Sequence, residues 1–171
     1  GLIAIALHWV SALAVFGLFG LGWWMIDLDY YSTWYRQAPD LHKSIGLLLA
    51  AATVLRLLWK WRQPAVIIDG LAAREHQLAK IGQAVLYLLL LIILASGYLI
   101  ATGDARPIAV FNGFELPALP WQFANQADIA GSVHKYAAWA LVILAAGHGL
   151  LALKHHFFNR DHSLNAMLGR D

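Results

Sequence analysis

The chain has 171 residues, of which 60% are hydrophobic and 13% are charged, and its mean hydropathy is +0.59. Soluble domains are nearer half apolar and a quarter charged, so this composition indicates a chain whose surface faces lipid. The net charge of +2 argues against nucleic-acid binding, and the absence of cysteine excludes disulfides, iron–sulfur clusters, thiolate zinc sites and covalently attached haem.

Four stretches of the chain predict membrane-spanning helices. The first covers about residues 2–26 and contains no Asp, Glu, Lys or Arg. Its length of 25 residues exceeds the roughly 20 apolar residues that cross a bilayer core. The second, about 41–61, is the weakest, because its central apolar run alone is also consistent with a buried or interfacial helix. Its cations lie near its ends, where long side chains can reach the interface. The third and fourth spans cover about 81–103 and 132–156.

These spans predict an all-α integral membrane four-helix bundle with antiparallel up-down topology. Eight of the twelve Lys and Arg residues lie in the linker after the second span and in the C-terminal tail, so both termini are predicted to be cytoplasmic. Residues 104–128 carry Pro107, Pro117 and Pro120 and predict an ordered outer loop that caps the bundle. Gly131 and Ser132 are the predicted N-cap of the fourth span.

Four of the eight histidines lie in or at the mouths of the spans: His8, His42, His134 and His148. His134 and His148 are 14 residues apart, which places them on nearly the same helix face and about 21 Å apart along the axis. The direction of each span puts His8 at the depth of His148 and His42 at the depth of His134. The histidines therefore form two depth-matched pairs.

Two pairs of imidazoles favour bis-histidine ligation of two haem irons, one above the other across the membrane. A zinc or copper site needs three or four ligands that converge on one point, and each level offers two. Gly46, Gly147 and Gly149 lie near these histidines and would let a flat macrocycle approach the backbone. The alternatives are ordinary helix packing for the glycines and a hydrogen-bonded packing role for any single histidine.

Several short motifs along nearly the whole chain resemble the bacterial cytochrome b561 family. They are Leu7-His8-Trp9, His42-Lys43-Ser44-Ile45-Gly46, Val54-Leu55-Arg56-Leu57, Leu78-Ala79-Lys80, Leu86-Tyr87-Leu88-Leu89, Ser96-Gly97-Tyr98, His134-Lys135 through His148, His155-His156-Phe157-Phe158 and Arg160-Asp161-His162-Ser163-Leu164. Their order and spacing are specific together, although none is a strong motif alone. One departure is Gln83, where some relatives carry a further histidine.

The resemblance implies one transmembrane cytochrome b domain over residues 1–171, in the bacterial inner membrane, with two haem b groups. It implies His8 and His148 as ligands of the inner haem iron and His42 and His134 as ligands of the outer one. It also implies electron exchange with the quinone pool, with ubiquinone as a candidate substrate and superoxide or another small molecule as a candidate donor at the outer face. Whether the chain is an enzyme or an electron carrier, its physiological donor and its oligomeric state stay open.

Arg56 is the deepest cation of the chain, and we predict that it binds a propionate of the inner haem. Lys60 is a second candidate there, and Lys43, Arg106 and Lys135 are candidates for the outer haem. The alternative for each is a solvated loop or interface charge. His155, His156 and His162 are candidates for proton uptake near a quinone, or interfacial anchors. Rival functions are a membrane anchor subunit of a larger dehydrogenase or hydrogenase, and a non-haem metal or transport bundle.

Overall fold

The computed structural model describes residues 1–62, 73–159 and 163–169. Most of the linker after the second predicted span, together with Arg160, His162 and Arg170, lies outside these residues. The described part contains α1 (Leu2–Met25), α2 (Gln37–Arg62), α3 (Ala73–Ala101), β1 (Ile108–Val110), β2 (Phe114–Leu116), α4 (Gln126–Lys154), a π-helical turn (His155–Asn159) and α5 (Ser163–Met167).

Four long helices in this described part are apolar enough to cross a membrane. They cover Leu2–Met25, Gln37–Arg62, Arg74–Ala101 and Gln126–Phe158, the last including most of the π-helical turn. The predicted all-α membrane four-helix bundle is therefore confirmed.

Three helices, α2, α3 and α4, begin earlier than the predicted spans. α2 begins at Gln37 instead of residue 41. Its first turn tolerates Pro39, because the N–H that proline lacks would have no helical partner in a first turn. α3 begins at Ala73 instead of residue 81, since hydropathy locates the apolar part of a helix and not its polar first turns.

The predicted N-cap of the fourth span is wrong. α4 begins at Gln126, after Asn125 in a left-handed conformation with φ of 57°. Asn is one of the few residue types that tolerate this conformation. Ser132 lies inside the helix, where its hydroxyl donates to the carbonyl oxygen of Asp128 at 3.0 Å. Serine can bond to the preceding helical turn in this way, so its capping preference did not mark the helix start.

The helices bury little apolar surface among themselves. A small buried core consists of Leu49, Leu90 and Leu141, one from each of α2, α3 and α4. By contrast, large apolar side chains cover the exterior, for example Ile143, which is 63% exposed. An exterior of this kind is expected where hydrocarbon replaces water as the solvent.

The bundle is built from two closely packed helix pairs, α1 with α2 and α3 with α4. Contact between the pairs is sparser, and one link is an edge-to-face pair of Phe19 on α1 and Trp139 on α4, with ring centres 4.9 Å apart. The space between the two pairs is therefore the part of the bundle with the least helix-to-helix contact.

The predicted outer loop contains a two-stranded hairpin that the sequence did not predict. β1 and β2 pair antiparallel, and Phe111 and Asn112 at the turn have φ of 46° and 56°. Two successive positive φ values are typical of the tight turn that matches strand twist. The Phe111 N–H donates to the Ser44 hydroxyl at 3.1 Å, and the Tyr98 hydroxyl donates to the Pro117 carbonyl at 2.8 Å. The hairpin is thus tied to α2, and the loop after it to α3.

Candidate functional site

The structure brings His42 of α2 and His134 of α4 together. Their ring centres are 6.2 Å apart, and the rings are inclined at 64°. An imidazole nitrogen lies about 1 Å from its ring centre and a metal–imidazole bond is about 2 Å long, so two rings on opposite sides of one iron lie about 6 Å apart. The observed separation fits a single metal ion between the two imidazoles.

Hydrogen bonding leaves one nitrogen of His134 available to a metal. Its Nδ1 lies 3.0 Å from the Ile93 carbonyl oxygen and 3.2 Å from the Ser96 hydroxyl. A carbonyl oxygen can only accept, so Nδ1 carries the hydrogen and Nε2 keeps its lone pair. A histidine that ligates a metal commonly donates its other N–H to such an oxygen, which fixes the ring orientation.

His42, unlike His134, has a ring nitrogen without a hydrogen-bond partner in the described part of the chain. Its Nδ1 is buried and has no hydrogen-bond partner among the described residues. Buried polar atoms are rarely left without a partner unless a water, ion or cofactor completes the site. His42 and His134 together therefore fit a bis-histidine haem site.

Two glycines let the backbone approach these rings. A Cβ added at Gly22 would lie 3.3 Å from Cε1 of His42, and one at Gly97 would lie 3.2 Å from Cε1 of His134. The sequence pointed instead to Gly46, Gly147 and Gly149, and a Cβ at any of those three would meet only open space.

The second histidine level has a different hydrogen-bond pattern. The Arg56 guanidinium lies 2.8 Å from Nδ1 of His8, and His148 of α4 lies in the vicinity of His8. Arginine can only donate, so Nδ1 of His8 accepts and its hydrogen is on Nε2. Ligation of a metal through Nε2 of His8 therefore requires Arg56 to release Nδ1.

Three of the other four predicted cations have partners away from the histidines. Lys43 forms an ion pair with Asp40 at 2.8 Å, and Arg106 pairs with Asp104 at 3.0 Å. Lys60 donates to the Gln83 side chain at 2.7 Å. Lys135 is exposed. Arg56 is therefore the only one of these five predicted cations with a hydrogen bond to one of the four spanning histidines in the described part of the chain.

The described residues contain no cluster of three or more His, Asp or Glu side chains that could hold a metal ion. The finding gives no support to a zinc or copper centre built from those residues.

Comparison with known proteins identifies the family. The family model described as prokaryotic cytochrome b561 matches residues 1–170. The chain is 46% identical over 171 residues to cytochrome b561 homolog 2 of Escherichia coli (strain K12). The matched region covers 99% of this chain and 91% of that protein. The chain therefore belongs to the prokaryotic cytochrome b561 family, and it is a membrane-spanning electron-transfer protein that binds b-type haem.

Proposed function

We propose that the chain moves electrons across the membrane through two b-type haems. His42 and His134 hold the iron of one haem, and His8 and His148 hold the iron of the other. The observation that carries the proposal is the 6.2 Å separation of the His42 and His134 ring centres. The helix that holds His134, α4, also carries His148 at the level of His8. When bound, haem supplies reversible one-electron chemistry at its iron.

The residues around His134 hold its ring in one orientation. The Ile93 carbonyl accepts the Nδ1 hydrogen, and this bond raises the basicity of the ligating nitrogen. The neighbouring Ser96 is buried, and its hydroxyl also donates to the Ile93 carbonyl, at 3.0 Å. These contacts supply a preorganised ligand, so little rearrangement is needed at this level.

Arg56 has a different role at the His8 level. In this proposal the guanidinium releases Nδ1 of His8 and pairs with a carboxylate of the bound haem. Arginine keeps its charge inside a membrane helix and forms strong hydrogen bonds to carboxylates, so it suits this exchange. Its distance of 2.8 Å from His8 puts the cation beside the ligand from the start.

We further propose that both termini are cytoplasmic and that a quinone in the bilayer is one electron partner. Support for the orientation comes from the cations at the two ends. Among the described residues, the end that holds His8 carries Arg56, Lys60, Arg62, Arg74, Lys80 and Lys154, whereas the other end carries Arg36, Lys43, Arg106 and Lys135. The partner at the outer face is then a small donor such as superoxide, reached through the side that holds His42.

Proteoliposomes that hold a quinone in the bilayer, with a reductant on one side of the membrane only, test this proposal. We expect the wild-type chain to reduce the quinone, and His134→Ala and His8→Ala each to lose one haem and most of this transfer. His76→Ala is the matched control, because His76 lies at the start of α3 and is not one of the paired histidines. Full transfer in a variant that has lost one haem would contradict the proposal. Transfer that requires a co-purified peripheral subunit would instead support a membrane anchor function.

A further inference from the structure

We propose that the seam between α2 and α3 binds the phosphate of an anionic membrane phospholipid. The basic seam is defined by Lys60 on α2 and by Gln83 and Tyr87 on α3, with Arg56 at its inner border. It lies at the end of the bundle where α2 ends and α3 begins. This proposal does not depend on the number of haems or on the direction of electron flow.

Contacts within the basic seam hold two cations beside one aromatic ring. The Lys60 ammonium donates to the Gln83 side-chain oxygen at 2.7 Å and lies 5.1 Å from the centre of the Tyr87 ring. The Arg56 guanidinium lies 5.3 Å from the centre of the same ring. Within the part of the chain that the structure describes, Gln83 and Tyr87 thereby hold Lys60, and His8 and Tyr87 hold Arg56.

No carboxylate of the described residues forms an ion pair with the cations of the basic seam. Ion pairs in the described part of the chain join Lys43 to Asp40 and Arg106 to Asp104, and none involves Lys60 or Arg56. Among the described residues, the end that holds the basic seam has one carboxylate, that of Glu75. The opposite end has the carboxylates of Asp27, Asp29, Asp40, Asp104, Glu115 and Asp128.

Hydrogen-bond donors also remain in the basic seam. An ammonium group has three donors and a guanidinium has five. The structure gives Lys60 one acceptor, Gln83, and gives Arg56 one acceptor, His8. The phosphate accepts from the free donors of Lys60. Arg56 keeps the role proposed for it beside His8 and adds positive charge at the inner border of the basic seam.

The surroundings of the basic seam favour a phospholipid over a free anion. Lys60 is exposed at the surface of the bundle. Leu55 on α2 and Leu88 on α3 are 59% and 58% exposed, so apolar side chains continue from the cations toward the middle of the bilayer. Trp59 and Trp61 are also exposed at this end, as is typical of the headgroup region. Cations between helices at the level of the headgroups are the kind of feature that attracts anionic lipids.

Native mass spectrometry of the haem-loaded protein, titrated with phosphatidylglycerol or phosphatidylcholine, tests the proposal. We expect phosphatidylglycerol to bind more tightly than phosphatidylcholine, and Lys60→Met to weaken phosphatidylglycerol binding about fivefold. Lys60→Arg should restore most of the binding because it keeps the charge. Lys154→Met is the matched control, since Lys154 is an exposed cation at the same end of the bundle, on α4, and we expect it to leave binding unchanged.

Three results would overturn the proposal. Equal weakening by Lys60→Met and Lys154→Met would mean that the lipid responds to general surface charge. Displacement of phosphatidylglycerol by an equal concentration of inorganic phosphate would mean that the site takes a free anion. A loss of haem in Lys60→Met with unchanged phosphatidylglycerol binding would mean that the basic seam serves a haem carboxylate instead.

Discussion

The replacement Gly97→Ala tests whether α3 must approach the His134 ring as closely as the structure shows. The added methyl carbon would lie 3.2 Å from Cε1 and 3.4 Å from Nδ1 of His134, whereas carbon atoms in good contact are about 3.5–4.0 Å apart. The ring would have to move by a few tenths of an ångström. It cannot do so freely, because Nδ1 is bonded to the Ile93 carbonyl and the other nitrogen is the proposed iron ligand.

The magnitude follows from comparison with Gly46→Ala, where the added carbon meets open space. Both replacements gain the same helix propensity, roughly 1 kcal/mol, so this gain cancels in the comparison. Overpacking typically costs about 1–3 kcal/mol. We therefore expect the haem of Gly97→Ala to be held roughly tenfold or more weakly than that of Gly46→Ala, since 1.4 kcal/mol corresponds to a factor of about ten.

Transfer of haem to apomyoglobin, followed by visible absorbance, measures this difference in the purified protein. The haem proposed to lie between His42 and His134 should be lost faster from Gly97→Ala than from wild type, while the haem proposed at His8 and His148 is retained at the normal rate. Equal haem loss from Gly97→Ala and Gly46→Ala would refute the reasoning, because it would mean that the ring has room to move.

Two further replacements have defined outcomes. Tyr98→Phe removes the hydrogen bond to the loop after the hairpin and should raise amide hydrogen exchange in residues 108–116, at a cost of about 1 kcal/mol; exchange at the wild-type rate would contradict the anchoring role. Arg56→Met removes the donor to Nδ1 of His8 and should shift the reduction potential of one haem to a lower value, because a nearby positive charge favours the electron-rich state. A redox titration measures the shift, and unchanged potentials would contradict the placement of Arg56 beside a haem.

The sequence predicted the spans and the bundle because both depend on one-dimensional patterns. Length without charge marks a membrane helix, and the spacing of His134 and His148 gives their common face directly. The starts of α2, α3 and α4 were missed because each helix begins in polar residues, which hydropathy does not mark as part of a span. Asn112-Gly113 between apolar residues was the available signal for the hairpin, since Asn and Gly favour tight turns.

The contacts that orient the histidines could not be read from the sequence. Gly22 and Gly97 lie against the rings only because α1 packs on α2 and α3 packs on α4, and pairing partners are a property of the fold. The acceptor of the His134 hydrogen is a main-chain oxygen on another helix, that of Ile93, and no side-chain identity marks such an atom. The contact of Arg56 with His8 likewise joins residues 48 positions apart.

The number of haems bound by the purified full chain is the most direct test of two bis-histidine centres. Haem quantification against protein concentration, combined with low-temperature electron paramagnetic resonance, makes this measurement. We predict two b-type haems for each chain, both low-spin because each iron has two imidazole ligands. One haem for each chain, or a high-spin signal from a fully loaded sample, would contradict the account.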